Sequence, residues 1–353
     1  MMTSNAFPIK ARPRRPALAA GSLVGATAAW GATFVMVKQA TNHLGVESFL
    51  AWRFLIAGGL LAVARPRSLK TLGRRGWAQG LALGLALAAG YALQTFGLRQ
   101  IPAAVSGFLT GLQVVFVPLV VWALLRRNPA KPVWAATALA MAGLATISLG
   151  DLGTAGAASG TAAAGELLTL GSALLFALQI VGLGRWSTAD RAFGLATVQL
   201  LTVAACSTVA TLPNGPAVPS GAGTWAAIGA TAIAATAIAF VVQSWAQSQI
   251  SATHTALILA LEPVFATACA WATGEHLGWT ALAGGALVVT GMLVVEGPRL
   301  AASRPARYFG RRATISLARG PATEPDERDD LTLESLALWD ERERLGVSHS
   351  PSG

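Results

Sequence analysis

Residues 94–122 read QTFGLRQIPAAVSGFLTGLQVVFVPLVVW, and residues 243–271 read QSWAQSQISATHTALILALEPVFATACAW. The two align without a gap at an offset of 149. Eight of the 29 positions are identical: Gln94/Gln243, Gln100/Gln249, Ile101/Ile250, Ala103/Ala252, Leu112/Leu261, Val115/Val264, Phe116/Phe265 and Trp122/Trp271. Ala-rich apolar stretches match one another by composition alone. Paired glutamines and tryptophans at one fixed offset do not. Each stretch contains the end of one apolar segment and most of the next, so the repeat relates whole segments.

Outward from this pair, the chain is a string of ten apolar segments: 17–37, 46–64, 77–97, 103–125, 133–149, 165–184, 193–212, 225–248, 253–272 and 278–295. A helix crossing a hydrocarbon layer of roughly 30 Å at 1.5 Å per residue needs about 20 residues. Lipid offers no hydrogen bonds to the backbone, so helices are the natural reading. The first segment follows basic residues, as a signal peptide would. Its length, Lys38 after it and nine further segments favour a span. The match places segments three and four on eight and nine, so the repeat is five segments long. Five is odd, and the second copy is therefore inverted across the membrane. The predicted fold is all-α and integral to the membrane, with ten transmembrane helices as two inverted five-helix repeats. Such repeats are a signature of transporters, with the site near the midplane between the halves.

Composition agrees. Of 353 residues 54% are hydrophobic and 12% charged, half the roughly 25% charge of a soluble domain. A soluble enzyme is excluded, as is a disordered chain. The net charge of +10 lies in residues 1–296, and residues 297–353 balance at nine basic against nine acidic. The basic excess follows the positive-inside rule rather than marking a nucleic-acid surface. Placing the N-terminus inside puts 19 Lys and Arg in the arm, the even-numbered loops and the start of the tail, against Lys38 and Arg99 outside. Both termini are then cytoplasmic. The expected divisions are a basic arm (1–16), a first repeat (17–150), a second repeat (151–296) and a mostly disordered cytoplasmic tail (297–353). Gly21/Gly25, Gly80/Gly84 and Gly107/Gly111 form GxxxG pairs, which suit close helix packing.

Three pieces carry a family resemblance: AAWGATFVMVK at 28–38, AWRFLIAGGLLA at 51–62, and LILALEPVFATACAWATGE at 257–275. With ten spans and inverted halves, the chain resembles the EamA family of the drug/metabolite transporter superfamily over residues 17–296. The resemblance implies export or exchange of amino acids, related metabolites or drugs in the inner (plasma) membrane, without fixing the substrate. Two other classes stay open at this point: a ligand sensor on a transporter scaffold, and a membrane enzyme of unknown chemistry.

Ionisable groups inside the spans are few: Arg53, Glu166, His254, Glu262 and Glu296. A charge at mid-bilayer costs roughly 2.5–3.5 kcal/mol on insertion scales, so each needs a reason. Glu262 lies mid-span, and its repeat mate Gln113 lies equally deep. These two are the first candidates for a substrate site, with Gln94, Gln243 and Trp30. Glu262 could equally serve packing. Arg53 could grip a substrate carboxylate or pair with Glu47 at the outer rim. Gln199 occupies a comparable place in the second half. Tyr91, Phe108, Phe176, Phe240 and Trp245 are further candidates for a cavity wall. Pro118 and Pro263 should kink spans four and nine.

No catalytic residue and no metal site is expected. The chain has no HExxH, no GxSxG and no phosphate loop, and its four histidines fall in separate elements. Cys206 and Cys269 have no metal spacing and read as packing residues. No cofactor is expected. The expected partners are a small-molecule substrate and the bilayer, not nucleic acid. Coupling to protons through Glu262 and uncoupled exchange are both open, and the sequence leaves the oligomeric state unread.

Overall fold

The computed structural model describes residues 15–101, 103–126, 128–152, 160–272 and 279–302, and every regular element among them is helical. In the first half these are α1 (Pro16–Leu44), α2 (Val46–Ala64), the short α3 (Arg67–Lys70), α4 (Gly73–Gln100), α5 (Ala103–Gly111), α6 (Gln113–Leu125) and α7 (Lys131–Leu152). In the second they are α8 (Gly160–Trp186), α9 (Ala192–Thr211), α10 (Ala222–Ala232), α11 (Ala239–Gln249), α12 (Ala252–Leu259), α13 (Glu262–Ala272) and α14 (Trp279–Ala302). A π-helical segment, Ile233–Ile238, joins α10 to α11. Among the described residues six helical stretches are long and apolar enough to cross a membrane: Val46–Ala64, Gly73–Gln100, Val105–Leu125, Ala163–Trp186, Ala192–Thr211 and Ala222–Gln249. The tail from 303 and residues 153–159 of the Gly/Ala stretch lie outside the described residues.

Local chemistry sets several boundaries. Pro16 opens α1, where its missing N–H costs nothing. Gly45 alone separates α1 from α2 at φ 81°, a left-handed backbone that favours a residue without Cβ. The 149-residue offset recurs in the geometry. Ile101 and Ile250 end their helices in the same extended conformation, at φ −129°, ψ 161° and φ −119°, ψ 161°. Both following segments then break, and Gln113 and Glu262 each begin the helix after the break.

These breaks differ from the expected proline kinks. Pro118 sits inside α6, past the break. Pro263 is the second residue of α13, where a proline needs no donor. Prolines thus mark the neighbourhood of the interruption, and the interruption itself lies before them.

Helix pairing also follows the repeat. α2 packs on α9 and α7 on α14, each helix against its own mate. α4 packs on α8, and α11 on α1; the mates exchange partners, as a twofold relation between halves produces. Only one GxxxG pair behaves as expected. A Cβ at Gly80 would lie 2.7 Å from Val198 Cγ1, and one at Gly84 2.5 Å from Thr202 Cβ. Gly21, Gly25 and Gly107 have nothing within 4 Å, and Gly111 meets only Leu144. Gly21/Gly25 thus makes no close helix contact, and in the third pair Gly111 alone meets a neighbouring helix, its Cβ position 2.8 Å from Leu144 of α7. The main core, with fully buried Phe49, Phe54 and Leu200, runs between the halves.

Candidate functional site: a polar cavity between the repeats

A cavity of about 680 Å³, its open mouth included, lies between the halves. Trp30, Arg53, Gln94, Gln113, Gln243 and Glu262 all line it. They come from α1, α2, α4, α6, α11 and α13. Five pairs of lining residues are related by the repeat offset: Trp30/Gln179, Tyr91/Phe240, Gln94/Gln243, Thr110/Leu259 and Gln113/Glu262. The repeat therefore builds the wall twice, once from each half.

The aromatic wall is a chain of edge-to-face rings. Trp30 meets Phe240 at 5.6 Å, Tyr91 meets Phe176 at 5.3 Å and Phe54 at 5.0 Å. Such contacts favour a fixed arrangement of rings. Phe108 and Trp245, also candidates, pack against the core clusters instead. The sequence reading missed Thr33, Thr95, Thr110 and Gln179. The offset would have found Gln179, since it is the mate of Trp30.

Arg53 is 3% exposed. Its Nε donates to Thr236 Oγ1 at 2.7 Å and its Nη2 to the Ala235 carbonyl at 3.4 Å. The guanidinium carbon lies 5.3 Å from the Tyr91 ring centre and 5.5 Å from that of Phe54, within cation–π range. Trp30 Nε1 donates to the same Ala235 carbonyl at 2.7 Å. Both acceptors sit in the π segment, and π turns commonly accompany functional sites. The Glu47 pairing is not formed, because Arg53 turns inward to this segment. Lysine cannot reproduce two donors in a plane. Arg53→Lys should therefore cost about 1–3 kcal/mol of stability, read as an earlier thermal unfolding of the purified protein in detergent.

A glutamine relay crosses the second half. Gln199 Nε2 donates to the Leu195 carbonyl at 3.1 Å, and Gln179 Nε2 to Gln199 Oε1 at 2.7 Å. Gln243 Nε2 points at Gln179 Oε1 at 3.5 Å. Gln199 is fully buried within this relay and does not line the cavity. In the first half, Gln94 Nε2 donates to Thr110 Oγ1 at 3.1 Å.

Glu262 makes no hydrogen bond and no contact ion pair to the described residues, but the Arg53 charge in the same cavity acts on it through space. It retains accessible surface and lines the cavity as the first residue of α13. A carboxylate is favoured at that end of a helix. His254 is buried elsewhere, its Nδ1 2.6 Å from Ser251 Oγ. Glu166 is exposed near the start of α8. The side chains of Glu275, His276 and Glu296 lie outside the described set. No group of three or more His, Cys, Asp or Glu that could hold a metal ion occurs among the described residues.

Comparison with known proteins agrees with this architecture. The model of the EamA-like transporter family matches residues 17–149 and again 163–296. An uncharacterized transporter of Archaeoglobus fulgidus is 29% identical over 239 residues, covering 67% of this chain and 72% of that protein. A protein of known crystal structure superposes with a TM-score of 0.66 at 19% identity. It covers 80% of this chain and 98% of that one, a likeness of fold alone.

Proposed function

Because the chain belongs to the EamA-like transporter family, we propose that it is an inner-membrane exporter of small metabolites or drugs, amino acids and their relatives included, working by alternating access. The observation that carries this is the cavity walled by repeat-related pairs from both halves. A site shared between two inverted repeats can be exposed to either face by rocking one half against the other. Ten spans fit the helix lengths. α1, α7 and α14 have 29, 22 and 24 residues, and α12 with α13 make one interrupted span. Family membership favours transport over catalysis. Sensing would use the same cavity without moving its ligand.

Transport by the purified protein in sealed vesicles tests the reading. A metabolite screen comparing export from overexpressing and deleted cells would supply candidate cargo. Binding without movement of any such cargo would remove the exporter reading and leave a sensor.

Topology has its own test. With 19 basic residues assigned inside against two outside, both termini face the cytoplasm. A reporter fused after residue 300 and one inserted at 150–165 are expected on opposite sides of the membrane. Reports from the same side would refute the ten-span count.

A further inference from the structure

Building on the exporter reading, we infer that the cavity recognises its cargo through a protonated amine and needs no carboxylate on it. The cavity wall carries both donors and acceptors, and they are unequally engaged. Several of the donors are committed to protein, although the Gln113 amide hydrogen-bonds to no described residue and is open to a ligand as donor and acceptor alike. Trp30 Nε1, Arg53 Nε and Arg53 Nη2 are spent on Ala235 and Thr236 of the π segment. Gln94 Nε2 is spent on Thr110, and Gln179 Nε2 on Gln199.

The acceptors remain open. A backbone carbonyl can only accept, so the Leu195 carbonyl fixes the Gln199 amide, which fixes Gln179, which fixes Gln243. The relay leaves Gln243 Oε1 at its free end, without a hydrogen-bond partner. Gln243 is 3% exposed, and this oxygen is buried without a partner. A buried acceptor left unpaired costs roughly 1–3 kcal/mol, which a ligand N–H would recover. Glu262, from the same half, and its repeat mate Gln113 line the same cavity. Neither hydrogen-bonds to the described residues; Glu262 is the acidic residue of the lining and Arg53 the basic one, whose charge acts on it through space without a contact ion pair. Around them lie Trp30, Tyr91, Phe176 and Phe240, whose ring faces attract cations. A charged N–H donor satisfies the carboxylate, the orphan amide oxygen and the rings together.

A carboxylate finds less. The planar fork of Arg53 that would take it side-on, Nε with Nη2, is turned to Thr236 and Ala235. The residue is 3% exposed, with the Tyr91 and Phe54 rings beside its guanidinium. Arg53 is thus a positioning residue, holding α2 to the π segment.

The test uses three probes that share a phenyl group: 2-phenylethylamine, L-phenylalanine and 3-phenylpropionate. Each is titrated against the full-length protein in detergent, with binding read by calorimetry. The amine should bind at least as well as the amino acid, and the anion about tenfold or more weakly. Glu262→Gln should cut amine affinity about tenfold and leave the anion unchanged, while Glu262→Asp keeps the preference. Gln243→Leu gives an independent second reading, with a smaller loss in the same direction. Equal binding of amine and anion would overturn the proposal. So would binding of the amino acid without the amine, no binding of the amine at millimolar concentration, or an unchanged preference in Glu262→Gln. Calorimetry needs no gradient, which separates the two readings. Amine binding without movement across vesicles sinks transport and leaves recognition standing; transport of another solute without amine binding does the reverse.

Discussion

Gly31→Ala is expected to lower the stability of the folded protein by about 1–3 kcal/mol, the cost of forcing an extra group into a filled contact. The reason is a backbone approach between α1 and α13. A Cβ at Gly31 would lie 2.5 Å from the Glu262 carbonyl oxygen and 2.9 Å from both Ala266 N and Phe265 Cβ. Two of those atoms belong to the backbone and cannot rotate away, so the helices must separate. Separation would also displace Glu262 from the cavity wall. Gly25→Ala, on the same helix, is the control. Nothing lies within 4 Å of its Cβ position, and alanine favours a helix over glycine. Thermal unfolding in one detergent checks both. If Gly31→Ala melts with the wild type, α1 and α13 do not approach so closely.

Glu262→Gln is expected to lower vesicle transport at least tenfold at matched expression. The change keeps the shape of the side chain and most of its hydrogen-bonding capacity, so folding should survive. What it removes is the acidic group of the cavity wall, which no described residue hydrogen-bonds and which Arg53 meets only through space. A charge-assisted hydrogen bond contributes roughly 1.5–3 kcal/mol, enough for a tenfold change. Transport is measured with and without an imposed pH gradient. If Glu262 carries a coupling proton, wild-type flux follows the gradient and the variant's does not. If it holds only the cargo, the loss is the same under both conditions. Wild-type rates under both would remove Glu262 from the site. Gln113→Ala is the partner experiment, and it should also impair transport, since the wall draws on both repeats at this pair of positions.

The two predictions rest on different kinds of information. The segment lengths and the offset of 149 were legible in the chain, because the thickness of the hydrocarbon layer and an internal duplication both leave one-dimensional traces. The offset also paired Gln94 with Gln243 and Gln113 with Glu262, and the structure brings all four to one cavity. The same offset pairs Trp30 with Gln179. Gln179 escaped notice because the aligned stretch begins only at residue 94, and an isolated glutamine in an apolar segment has no visible partner.

Arg53 shows where sequence reasoning stops. Its acceptors lie 182 and 183 residues away, in a π segment that no composition announces. A pairing with nearby Glu47 is the economical reading along the chain; the fold instead rotates α2 so that Arg53 faces inward. The GxxxG pairs behave likewise. The spacing at Gly80/Gly84 and Gly21/Gly25 is identical, yet only the first meets another helix closely.

The sequence by itself determined a membrane-spanning helical chain, its duplication, and which few polar residues lie deep enough to need a reason. These follow from local quantities: hydropathy, length and repeat period. Tertiary structure alone decided which of those residues share a cavity and which of their hydrogen-bonding groups are already spent. Both depend on the rotation of each helix about its axis and on contacts across the repeat boundary. A rotation by one residue, about 100° in an α-helix, leaves composition and length untouched. It still turns a side chain from the cavity to the lipid.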